Sequence, residues 1–168
     1  MKRDMMLIVW LVAVGFTAPL VYSHCQIPCG IYDDPARFNI IAENIESVEK
    51  AMKSITELSA EPVANMNNIV RWVNVKESHA DDTAQIISYY FMAQRVKPVD
   101  KGNAGYEKYI KQLTLLHEML VTSMNTKQTT DLGNVEKLRS LLKEFRASYL
   151  GESAPAAQQD EHGHGHSH

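Results

Sequence analysis

An all-α fold, an antiparallel four-helix bundle, is what this 168-residue chain predicts. Three observations carry that prediction. Apolar residues recur at spacings of three and four along four separate stretches, the mark of helices with one buried face. Proline, glycine or short polar runs separate the stretches. No stretch alternates apolar with polar residues as a half-buried strand does, and there is no internal repeat. Helices of this length with short connections satisfy one another's apolar stripes in a bundle.

The first helix starts near Pro35, since Asp33 or Asp34 supplies a start signal and proline suits the first helical turn. Ile41, Ile45, Val48, Met52 and Ile55 form its stripe. The second opens at Glu61-Pro62, carries Met66, Ile69, Val70 and Val73, then Ile86, Ile87, Tyr90 and Phe91, and ends by Pro98. The polar run KESHADD (76–82) is a place for it to bend or become exposed. DKGNAG (100–105) is a loop. The third helix shows Tyr109, Leu113, Leu116, Leu120 and Met124; NTKQTTDLG (125–133) leads to a fourth with Val135, Leu138, Leu142, Phe145 and Tyr149.

The two ends differ from this middle. Lys2 and Arg3 precede an uncharged, mostly apolar run from Met5 to Leu20, which meets Pro19 and the small or polar Val21–Ser23. That order describes a secretory leader, residues 1–23, cut between Ser23 and His24; an uncleaved signal anchor is the alternative, although the run is short for a membrane span. Residues 24–150 form the helical domain. Residues 151–168 are small and polar, contain a proline and end in alternating His162, His164, His166 and His168. They read as a disordered tail, either without a selected role or as a loose metal reservoir. A net charge of −3 gives no support to nucleic-acid binding, and a chain of this size can bury a core without disulfides or metals.

The only two cysteines lie in HCQIPCG (24–30), directly after the leader. In an exported protein such a pair often closes a disulfide, though a loop this small gains little stability from it, and the pair could serve instead as reactive thiols. A chain that begins at His24 offers something else. The α-amine, the deprotonated amide nitrogen of Cys25 and the thiolates of Cys25 and Cys29 make two nitrogens and two sulfurs in one plane, with the His24 imidazole able to approach axially. Planar nitrogen and sulfur donors suit Ni(II) or Cu(II), whereas zinc takes a tetrahedron. Spacing alone leaves the disulfide and the metal hook both open.

HCQIPCGIY (24–32) closely resembles the metal hook of the nickel-containing superoxide dismutases, His-Cys-x-x-Pro-Cys-Gly-x-Tyr, and matches at all six specified positions. The resemblance implies a four-helix domain with an N-terminal metal-binding hook, assembled as a homohexamer, holding one nickel ion per subunit. It implies His24, Cys25 and Cys29 as metal ligands, with Pro28 turning the hook. It implies disproportionation of superoxide to dioxygen and hydrogen peroxide by Ni(II)/Ni(III) cycling, with Tyr32 lining substrate access. The family's second gate tyrosine lies in an Asp-Tyr-Phe stretch; YYF (89–91) is similar and points to Tyr90. The family also holds its histidine with a glutamate and an arginine. Glu43 is the nearest match for the first, while Arg71, Lys76 and His79 compete for the second. The alternatives are an exported nickel- or copper-binding delivery protein without catalysis and, less well matched because the cysteines lack C-x-x-C spacing, a thiol-disulfide protein. The leader points to export, periplasmic or extracellular, with no stable membrane association once it is removed. Some family members instead work in the cytoplasm after a dedicated leader peptidase has acted.

Overall fold

The computed structural model describes residues 31–151. The leader, the hook residues His24, Cys25 and Cys29, and the tail from 152 onward lie outside the described residues. Those described are all-helical, without a strand, and four helices pack around one core.

Helix α1 (Asp34–Leu58) begins where the sequence signals it. The Asp33 carboxylate accepts a hydrogen bond from the Ala36 amide at 3.0 Å, and Pro35 occupies the first turn. At its far end the Ser59 hydroxyl and the Asn65 side-chain amide donate to the carbonyls of Ile55 and Leu58, satisfying acceptors the helix leaves open. Helix α2 (Pro62–Gln85) follows after this tight corner. It stays helical through residues 76–82, where Lys76 and Ala80 are buried while Ser78, Asp81 and Asp82 are exposed.

From Ile86 to Arg95 the same rod continues as a π-helical segment. The Val96 amide donates to the Phe91 carbonyl, five residues back, at 2.8 Å, the bonding pattern that defines this winding. Val96 is extended, and Pro98 two residues on keeps the chain from re-entering a helix. A loop with Gly102 at φ +100°, a conformation that favours glycine, leads to α3 (Tyr106–Gln128) and then α4 (Gly133–Leu150). Gly151 closes α4 in the left-handed region, its amide donating to the Ala147 carbonyl. Helix α1 packs on α2 and α4, and α3 packs on the same two.

The core draws on every helix. The α1 stripe expected from the sequence is buried throughout, and Ile87 and Phe91, Leu116 and Met119, and Val135, Leu138 and Phe145 meet it. Phe38, Phe91 and Phe145 pack with centroids 4.9, 5.5 and 5.0 Å apart, and Tyr149 leans on all three. Deleting one ring leaves a void its neighbours cannot fill. Phe91→Ala is expected to cost roughly 3–5 kcal/mol, read as a lower urea midpoint at an unchanged slope.

Two apolar stripes differ from expectation. Met66 and Val70 on α2 are exposed, as is Val63, because no other described helix covers that face. On α3, Leu115, Leu116 and Met119 are buried with Thr122, Ser123 and Thr126, while Met124 is exposed. The buried hydroxyls of Ser123 and Thr126 donate to the carbonyls of Ala80 and Ser123, which lets small polar residues line a close helix contact.

Lys76 is the buried charge of the bundle, only 4% exposed. Its ammonium donates to the carbonyls of Lys127 and Thr129 at 2.6 and 3.1 Å, capping the C-terminal end of α3 where the helix dipole favours a cation. Burial pushes its pKa below the ordinary lysine value.

Candidate functional site

Three parts of the chain that are remote in sequence meet at the start of α1. The Asp34 carboxylate is their common partner. Its Oδ1 accepts from the Tyr90 hydroxyl at 2.6 Å and from Arg95 Nε at 2.9 Å. Its Oδ2 accepts from Arg95 Nη2 at 2.6 Å and from the Tyr149 hydroxyl at 2.9 Å. Tyr90 and Arg95 come from the π segment and Tyr149 from the last turn of α4. The Arg95 guanidinium lies 4.3 Å from the centroid of the Tyr32 ring, and Arg37 stands 5.2 Å from that of Tyr90, both cation–π distances. Tyr32 meets Tyr90 edge to face at 6.0 Å.

Local winding makes this convergence possible. Tyr90 and Arg95 are five residues apart, which in an α-helix places side chains about 140° apart around the axis. Winding with i→i+5 bonds brings the fifth residue back nearly over the first, so both reach one carboxylate. Asp34 in turn lies in the first turn of α1, where the helix dipole favours an anion.

The charges respond to one another. Burial alone would raise the Asp34 pKa, but the hydrogen bonds from Arg95, Tyr90 and Tyr149 and the charge of Arg95 outweigh it and hold the carboxyl below its ordinary value. Burial, then the hydrogen bond to Asp34, pushes the Tyr90 phenol up to about 12. The same two causes, in the same order, raise Tyr149. Because the folded Asp34 pKa lies below the unfolded one, the unfolded state takes up the proton first as pH falls. The carboxylate's contribution to stability is therefore complete above an unfolded pKa of about 3.9 and is lost as pH drops through the folded value. Urea midpoints measured from pH 5 down to pH 2 are expected to fall more steeply for the unaltered chain than for Asp34→Asn.

The structure brings Tyr32 and Tyr90 together, one 43% and the other 3% exposed. Glu43 is an exposed residue of α1, nine residues beyond Asp34 and so about 13 Å further along the helix; it is not part of this cluster. Arg71 is exposed, Lys76 caps α3, and His79 Nδ1 lies 2.8 Å from the Asn44 side-chain oxygen. Sequence reasoning missed Arg95 altogether. It took Asp34 only as a helix start and Tyr149 only as part of an apolar stripe. No local signal marks residues that meet across 61 and 115 positions.

Among the described residues no group of three or more His, Cys, Asp or Glu is arranged to hold a metal. The thiolate donors of the chain are confined to Cys25 and Cys29, in the segment that runs into Tyr32. Two thiolates, with the amine and amidate that a chain beginning at His24 would add, are donors that Ni(II) takes, so these residues would fit that ion.

The family model described as nickel-containing superoxide dismutase matches residues 19–152. A protein of Streptomyces seoulensis, "Superoxide dismutase [Ni]", is 26% identical over 117 residues, covering 70% of this chain and 78% of that protein. No solved structure matches the chain.

Proposed function

The chain belongs to the nickel-containing superoxide dismutase family, and from that membership we propose that it acts through a hook beginning at His24, with Tyr32 and Tyr90 lining the approach of superoxide. It is an oxidoreductase that disproportionates superoxide with a nickel cofactor. The observation that carries this is the extent of the family match, which runs from before the His-Cys motif to the end of α4.

In this reading the α-amine and imidazole of His24, the amide nitrogen and thiolate of Cys25 and the thiolate of Cys29 hold the metal. Bound nickel supplies the one-electron exchange by which two superoxide ions and two protons become dioxygen and hydrogen peroxide. The described residues handle the anion and its protons. Tyr90 commits its hydroxyl proton to Asp34, and with its pKa near 12 it serves as a fixed wall rather than as an acid at neutral pH. Tyr32, much the more exposed of the two, is the tyrosine placed to meet solvent and an incoming anion. Arg37 and Arg95 bring positive charge beside the tyrosine pair, where a small anion would approach an otherwise negative protein, with Asp33 and Asp34 standing at the same helix start.

The remaining parts of the reading are proposals on the same footing. Leader removal after Ser23 frees His24 and accompanies export. Glu43 is retained as the acidic partner of His24 on the motif resemblance alone. The helices run up and down in sequence order, supported by the meeting of the start of α1 with the ends of the π segment and α4. The subunits form a homohexamer, supported by the exposed apolar row Val63, Met66 and Val70, an i, i+3, i+7 stripe of the kind that seeks a partner. Metal analysis and superoxide assay of the processed protein test the central claim. About one nickel per chain with rapid disproportionation is expected; tight nickel binding without turnover would identify a delivery protein instead.

A further inference from the structure

We propose that Asp34 is a positioning residue for the tyrosine pair, holding Tyr90 directly through its hydroxyl and Tyr32 indirectly by locking the Arg95 guanidinium against which the Tyr32 ring lies. The inference rests on the reading of Tyr32 and Tyr90 as the residues that line substrate access.

The carboxylate is saturated. An ionised carboxylate offers about four lone-pair sites, and here two hydroxyls and two guanidinium N–H groups occupy them. The paired bonds from Arg95 fix the plane of the guanidinium as well as its place, because the fork matches the carboxylate geometry. That plane matters for Tyr32. The residue precedes α1 and has no helical hydrogen bonds, so among the described residues its ring is held by Arg95 on one side and by the edge contact with Tyr90 on another. Both supports lead back to Asp34.

A plain structural role for Asp34 is already filled by its neighbour. Asp33 caps α1 through the Ala36 amide, so starting the helix does not require the Asp34 side chain. What Asp34 adds is a tie between the segment carrying Tyr32, the π segment and α4, at separations of 56, 61 and 115 residues. A side chain on a coil segment loses its defined place when such a tie is cut, even if the helices stay.

The test uses the whole processed chain with nickel bound and its tyrosine rings isotopically labelled, the Tyr32 resonances being assigned with Tyr32→Phe. Asp34→Asn removes the charge that locks Arg95; Arg95→Lys keeps a positive charge but removes the planar fork. In both variants the Tyr32 ring signals are expected to move to the position of a free tyrosine while helical circular dichroism is kept. In both, kcat/KM for superoxide should fall about tenfold or more, as for a misplaced positioning group. The double variant should be no slower than the slower single one, since both residues act along one route. An unmoved Tyr32 signal in the folded variants would overturn the proposal, and so would a displaced ring with unchanged kcat/KM. Should Asp34→Asn fail to fold, Arg95→Lys decides by the same two readouts. Should the unaltered loaded chain lack dismutase activity, the function itself falls, while the Tyr32 signal still decides whether Asp34 and Arg95 place the ring.

Discussion

A chain carrying one alanine ahead of His24 is expected to lose nickel-dependent dismutase activity, although its size, charge and helices are nearly unchanged. If the α-amine of His24 is a ligand, a peptide bond at that nitrogen removes it, because an amide lone pair is delocalised into the carbonyl. Loss of partners that merely orient a ligand costs ten- to a hundredfold in metal affinity or activity, so loss of a ligand itself should exceed about a hundredfold. The uncut leader should be equally damaging, since either extension blocks the same atom. Both chains would be loaded with nickel, analysed for bound metal and assayed side by side. Comparable activity would rule out the amine as a ligand. A site built from side chains alone, or a disulfide, would tolerate the added residue.

Cys25→Ser and Cys29→Ser are each expected to abolish activity and leave the bundle standing. A serine hydroxyl is protonated at neutral pH and is a far poorer donor than a thiolate, so the proposed donor set would lose one ligand. The core, by contrast, is made by Phe38, Ile41, Ile45, Ile87, Phe91, Leu116, Val135, Leu138 and Phe145, all in the helical part. Helical circular dichroism and the unfolding midpoint should therefore stay near those of the unaltered chain. A cysteine variant that retained substantial turnover would contradict the hook, whereas one that lost its helices would make the pair a structural disulfide.

Much of the fold could be read from linear pattern. The α1 stripe is periodic and bulky, and Asp33 with Pro35 marks its start by local chemistry, so periodicity and burial agree there residue by residue. On α3 the agreement weakens because Ser123 and Thr126 are buried by satisfying their hydroxyls on carbonyls, which no hydrophobic pattern registers. On α2 the apolar residues Met66 and Val70 stand exposed, since a stripe reveals a face that wants covering and not what covers it. Tyr32 and Tyr90 were nameable from motif resemblance. Asp34, Arg95 and Tyr149 were not, because their significance lies in a shared hydrogen-bonding partner formed only when the ends of three helical elements converge.

The winding of Ile86–Arg95 bears on how this site can be inherited. A π turn spans one residue more than an α turn, so it is the footprint that a one-residue insertion leaves in a helix. Removing a single residue between Tyr90 and Arg95 would let the rod relax to ordinary α geometry with the two side chains four positions apart, about 40° round the axis and so still on one face. Lineages that differ here by that one position would keep both the aromatic wall and its arginine buttress, whereas straightening the segment to α winding without a deletion would set the two side chains about 140° apart. In an alignment the deletion would look like a trivial gap.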